Sequence, residues 1–178
     1  MHNDIQEILI ENETVQVKVQ ELADKISKDY AGKDLLLVCI LKGSFIFCAD
    51  LVRKMTIPVT MDFMAVSSYR DRAVSSGAVM ILKDLDSSIE GKHVLIIEDI
   101  VDTGLTLKYL LENLKSRQPL SVEVCTLLDK PSRRKADVSV KYNGFEVPDV
   151  FIVGYGLDYQ EKYRHLPDVC VLKSEIYS

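Results

Sequence analysis

The sequence predicts an α/β fold, a mainly parallel sheet flanked by helices, and three observations carry that prediction. Leu35–Leu41, His93–Ile97 and Val122–Leu128 are apolar runs of strand length without alternation, as expected of strands buried on both faces. Stretches with apolar residues at helical spacing separate such runs, and strand–helix–strand alternation sets successive strands parallel in one sheet. The chain has 178 residues, the length of one domain with a small appendage.

Taken in order, Val15, Val19, Leu22, Ile26 and Tyr30 repeat at helical spacing, so the segment after Thr14 is an amphipathic helix. Leu35–Leu41 follows as a buried strand, then Gly43–Met55 as a helix with Phe45, Ala49 and Val52 on its apolar face. Ile57–Val66 reads as the next strand, with Pro58 near its start, where a missing donor is tolerated. Residues 67–78, SSYRDRAVSSGA, are polar and Ser-rich, an exposed and mobile loop, and Ala78–Leu85 is the strand returning from it. His93–Ile97 is a strand, Leu105–Lys115 a helix and Val122–Leu128 a further strand. From Pro131 the rhythm changes to two short strands, Val150–Val153 and Val169–Leu172, joined by Pro- and Gly-containing loops. This portion, about residues 131–178 with the extreme N-terminus, reads as a small lobe over one edge of the sheet.

Composition narrows the function. A net charge of -5 argues against a general nucleic-acid binder, which needs a basic face. No secretory signal opens the chain and no apolar run has the roughly 18–20 residues that cross a bilayer, so the expectation is a cytoplasmic protein without a membrane partner. Cys39, Cys48, Cys125 and Cys170 sit among apolar neighbours without metal spacing and read as small buried hydrophobes.

The chemistry concentrates in VLIIEDIVDTGLTL, Val94–Leu107, where Glu98, Asp99 and Asp102 run into Thr103-Gly104-Leu105-Thr106. Ligands of open parallel sheets bind at the carboxyl ends of the strands, and the next helix opens there with free N–H groups, a positive dipole end and two hydroxyls. That suits a phosphate. The Gly-Lys-Ser/Thr of a Walker loop and the companion glycines of a dinucleotide fingerprint are missing. A ribose 5-phosphate reconciles acids with cradle: its phosphate takes the helix mouth, Glu98 and Asp99 accept from its hydroxyls, and Asp102 lies near an anomeric carbon that turns cationic.

This stretch resembles the phosphoribosyl-pyrophosphate signature of the type I phosphoribosyltransferases. LKGS (Leu41–Ser44), SSY (Ser67–Tyr69), ILKDLD (Ile81–Asp86), LLDKPSRR (Leu127–Arg134) and FIVGYGLDYQEKYRHLP (Phe151–Pro167) narrow the resemblance to the hypoxanthine phosphoribosyltransferases, in order along nearly the whole chain. The resemblance implies the type I phosphoribosyltransferase fold, with the small lobe as its hood. It also implies transfer of phosphoribose from 5-phosphoribosyl 1-pyrophosphate to a 6-oxopurine, with Mg2+.

By position it makes Glu98 and Asp99 the ribose ligands, Asp102 the general base near purine N7, and Thr103, Gly104, Leu105 and Thr106 the 5-phosphate loop. Leu41, Lys42 and Gly43 become the pyrophosphate loop, whose first peptide can be cis in this family. Ser68 and Tyr69 belong to a closing loop, and Arg164 neutralises the leaving group. Lys130 reaches O6, Phe151 stacks on the purine, and Ile152 meets its Watson–Crick edge. Asp158 is both a purine-site residue and the one that binds magnesium with pyrophosphate, with Glu98 and Asp99 as further candidate metal ligands. Read without the resemblance, Gly43 is a strand-to-helix turn, Lys130 a solvated loop lysine and Phe151 core. Arg70-Asp71-Arg72-Ala73-Val74 departs from the small polar residues expected after Ser-Tyr. The expected partners are small molecules and a second copy or more of the chain, as homodimer or homotetramer. A xanthine-preferring enzyme and a non-catalytic regulator that binds the same ligand are the alternatives.

Overall fold

The computed structural model describes residues 3–68 and 79–177, with Ser68 as backbone only. Its largest element is a six-stranded sheet, ordered β4 (Val79–Lys83), β3 (Thr60–Ser68), β2 (Leu35–Leu41), β5 (His93–Val101), β6 (Ser121–Asp129) and β7 (Tyr142–Glu146). Every neighbouring pair is parallel except β3 with β4. The order turns back at β2: the chain leaves it outward to β3 and returns on its other side as β5. A crevice opens at such a reversal, beyond the carboxyl ends of the two strands. Those ends carry Leu41-Lys42-Gly43 and Glu98-Asp99, so topology alone brings together two segments that lie far apart along the chain.

Helices α1 (Asn12–Asp29) and α2 (Phe45–Lys54) cover one face, and α3 (Leu105–Lys115) the other. The α1 stripe is buried as its spacing predicts. In α2 the predicted phase is wrong. Phe47, Cys48 and Leu51 are buried, whereas Phe45 and Ala49 are exposed, because the sheet meets the stripe one step round the helix from the one spacing suggested. The third strand starts at Thr60, after Ile57-Pro58-Val59 rather than through them.

A second sheet, β1 (Ile5–Ile10), β9 (Val169–Leu172) and β8 (Ile152–Val153), is antiparallel and unites the two ends of the chain. Two strands escaped the sequence reading. In β1 the pairing to β9 slips twice, so burial does not alternate. In β7 the Asn143-Gly144 pair reads as a turn, yet it lies inside a strand paired with β6. All four cysteines are free and buried. No helix among the described residues is long and apolar enough to cross a membrane.

Candidate active site

The crevice at the β2/β5 reversal divides into three connected clefts of about 470, 320 and 280 Å³. Asp99 lines all three. It stands at the end of β5, which continues to Val101, so Glu98 and Asp99 are strand residues and point to opposite sides. Burial raises the Asp99 carboxyl to about 6, with the Ile100 N–H and Arg164 pulling it down and Asp158 pushing it up. Glu98 is raised well above the ordinary carboxylate range, first by burial and then by Asp99. Two neighbouring acids held against their preferred charge form a site tuned for donors or a cation.

The middle cleft holds the cradle. Glu98, Asp99, Asp102, Thr103, Gly104 and Thr106 line it. Gly104 precedes α3 with φ +80°, a left-handed conformation that turns the chain sharply into the helix. The first-turn N–H groups of α3 have no partners of their own within the helix, and they open on this cleft. Leu105 is the first helical residue; its side chain is exposed, and its N–H meets the Thr103 hydroxyl at 3.4 Å. Behind the cradle the Thr103 carbonyl accepts from the Lys135 and Ala136 N–H groups, which anchors the loop.

The smallest cleft joins the turn after β2 to the loop after β8. Leu41, Lys42 and Gly43 line it with Asp99, Asp158 and Arg164. The Leu41–Lys42 peptide is cis. A methyl group on Gly43 would stand 1.7 Å from Asp99 Oδ2, so only glycine lets the two segments approach. Arg164 donates to the Gly156 carbonyl at 2.8 Å and lies 3.0 Å from Asp158 Oδ1. Lys42 pairs with Glu161 at 3.1 Å. Two cations therefore border this cleft, each held by an acid.

The largest cleft is walled by Asp102, Lys130, Val150, Phe151, Ile152 and Asp158, among others. Lys130 is buried and donates to the Val150 carbonyl at 2.6 Å. Burial pulls its ammonium below the usual lysine range, against the opposing pull of Asp102 and Asp149. Phe151 stacks on Tyr177 of α4 (Ser174–Tyr177), with centroids 4.7 Å apart.

The structure thus gathers Leu41, Lys42, Gly43, Glu98, Asp99, Asp102, Thr103, Gly104, Thr106, Lys130, Phe151, Ile152, Asp158 and Arg164 around one crevice. Tyr69 lies outside the described residues, as does the Ser68 side chain. Arg133, Asp149, Ile100, Leu157 and Tyr177 line the largest cleft without having been singled out. For Arg133 a signal existed, its place in LLDKPSRR, but a run of three cations reads as a solvated face. Among the described residues, no three acidic, His or Cys side chains converge to hold a metal by themselves.

A parallel sheet with a phosphate cradle and an acid pair at its reversal defines a phosphoribosyltransferase, and residues 6–160 match the phosphoribosyl transferase domain family. The relatives sharpen this. The hypoxanthine-guanine phosphoribosyltransferase of Staphylococcus aureus (strain COL) is 54% identical over 178 residues, covering 100% of this chain and 99% of that protein. That of Bacillus subtilis (strain 168) is 51% identical over 177 residues, covering 99% and 98%. A crystal structure of a hypoxanthine phosphoribosyltransferase from Staphylococcus aureus superposes with a TM-score of 0.95, at 54% identity over 100% of this chain and 97% of that one. The chain belongs to the hypoxanthine-guanine phosphoribosyltransferase family.

Proposed function

We propose that residues 1–178 form one domain that salvages purines, moving phosphoribose from 5-phosphoribosyl 1-pyrophosphate to N9 of hypoxanthine or guanine, with IMP or GMP and pyrophosphate as products. The observation that carries the reading is the position of Asp99, where base, ribose-phosphate and diphosphate clefts meet. A substrate with its reacting carbon at that junction has an end for each cleft.

In this reading the 5-phosphate sits on Thr103–Thr106, and Glu98 and Asp99 accept from the ribose hydroxyls. The base lies in the hood cleft against Phe151, with Lys130 offering one of its three protons to O6 and Ile152 beside the Watson–Crick edge. A 6-amino group cannot accept that proton, which sets the preference against adenine. N9 attacks the anomeric carbon as its bond to the diphosphate oxygen breaks, through a loose, cationic transition state that the carboxylates stabilise. The N7 proton passes toward Asp102 as the purine's electrons move to N9. Lys42, Gly43 and Arg164 receive the departing diphosphate.

The donor set suits magnesium only when the diphosphate shares it. Mg2+ commonly takes one or two carboxylates plus substrate oxygens; Asp158 and the Glu98–Asp99 pair would hold it, and it would offset the charge of the leaving group. The three-stranded sheet and its loops serve as the hood. A homodimer or homotetramer is part of the proposal, supported by the exposed apolar side chains of Met61, Phe63, Met80 and Leu82. Four free, buried cysteines fit a cytoplasmic setting.

Pyrophosphate release measured with each of four purine bases tests the reading. Release with hypoxanthine and guanine but not adenine is expected. A xanthine-only response favours the alternative specificity, and silence with all four makes the chain a binding protein. Asp102→Asn should slow turnover by a factor on the order of 10²–10⁴.

A further inference from the structure

We propose that Arg133 is a positioning residue for Asp102, its charge holding one carboxylate oxygen so that the other meets purine N7. This rests on the base role given to Asp102 above. Arg133 Nε lies 2.8 Å from Asp102 Oδ1, an ion pair held by charge, since Oδ1 has no hydrogen-bond partner among the described residues. That oxygen is wholly shielded from solvent, while the Asp102 side chain as a whole is 32% exposed. The open part of Asp102 is therefore on its other side, and both residues line the base cleft.

Arg133 is itself held from behind. Its Nη1 lies 3.4 Å from both oxygens of Asp149, which borders the same cleft. Its backbone N–H donates to the Lys130 carbonyl at 3.1 Å, closing the helical turn Pro131–Arg133. One rigid turn thus presents the proposed O6 donor and the partner of the proposed N7 base together. The adjacent Arg134 is engaged elsewhere, by Asp129.

A carboxylate free to rotate presents either oxygen at many angles, and reaction needs one. Arginine suits the anchoring task because it stays charged at all working pH values. It is a fixed partner, not a proton carrier: the N7 proton goes to the free oxygen of Asp102, and Arg133 keeps its own protons throughout.

Steady-state kinetics of Arg133→Gln, Arg133→Lys, Asp102→Asn and the double variant Arg133→Gln/Asp102→Asn, with hypoxanthine, the phosphoribosyl donor and magnesium, test this. Arg133→Gln should lower kcat about 10- to 100-fold, the scale of a misplaced reacting group, with the donor's KM within about twofold. Arg133→Lys should recover part of that loss. Adding Arg133→Gln to Asp102→Asn should cost less than about threefold, since the group to be oriented is gone. Multiplicative losses in the double variant, or an Arg133→Gln enzyme of normal kcat beside a crippled Asp102→Asn, would overturn the proposal. Normal turnover in Asp102→Asn instead removes the base assignment beneath it.

Discussion

Asp99 pays in stability for its place at the junction of the clefts. Its carboxyl titrates about 6 when folded, against an ordinary 3.8, because burial disfavours the charge. The folded chain therefore holds this proton more tightly than the unfolded chain does. The resulting stability is complete below pH 3.8 and is lost as pH rises through about 6. At neutral pH the ionised group costs about 1–2 kcal/mol, reduced from the full linkage value because the cleft is open to water. Asp99→Asn, which keeps an acceptor for the Ile100 N–H, should raise the melting temperature by about 2–6 °C at pH 7.5 while activity collapses. The gain should fade toward pH 4, and an equal gain at both pH values would contradict the burial argument. Glu98 works in the same direction, since it too is raised by burial.

Turns at strand ends, more than the strands, shape the site. β2 is apolar and delivers a turn whose Gly43 leaves room for the Asp99 carboxylate of β5. Gly43→Ala collides with the end of a side chain and not with backbone, so the fold should survive while Asp99 is displaced. We expect near-normal circular dichroism and a kcat/KM reduced by about 10²-fold, as a displacement near 1 Å produces. Unchanged kcat/KM would mean that Asp99 has slack the packing does not suggest. The same logic governs α3. Its N-cap, Gly104, has no side chain to cap the helix, and beyond the Leu105 N–H that meets Thr103 the helix mouth beside the cleft is available to a ligand.

At the scale of the whole molecule, the described residues leave apolar side chains of β3 and β4 exposed. β2 and β3 pair in register, Leu37 with Met61 and Cys39 with Phe63, so these four side chains share the α1/α2 face. Leu37 and Cys39 are buried under the helices, whereas Met61 and Phe63 of β3, like Met80 and Leu82 of β4, are exposed among the described residues. Exposed apolar side chains on these strands are the ground for the proposed self-association. Phe63→Asp should shift the species seen by analytical ultracentrifugation toward monomer, and a wild-type chain already monomeric at micromolar concentration would refute the oligomer. Leu82 also lines the cleft that Lys42 and Arg164 border, so assembly and activity should weaken together.

By itself the sequence determined what short-range patterns encode. The apolar runs of β2, β5 and β6 announce a buried parallel sheet, the stripe of α1 its covering helix, and Glu98 to Thr106 an acid pair followed by a glycine turn into a helix. These signals are local, so one stretch of chain contains them. The tertiary structure alone decided which face of α2 is buried, that Asn143-Gly144 continues a strand, and that Arg133 meets Asp102 while Arg134 meets Asp129. Each depends on what the rest of the fold places opposite. A helix phase, a strand edge or a charge pair has no energy until its partner arrives, and partners distant in the chain meet only when the sheet is assembled.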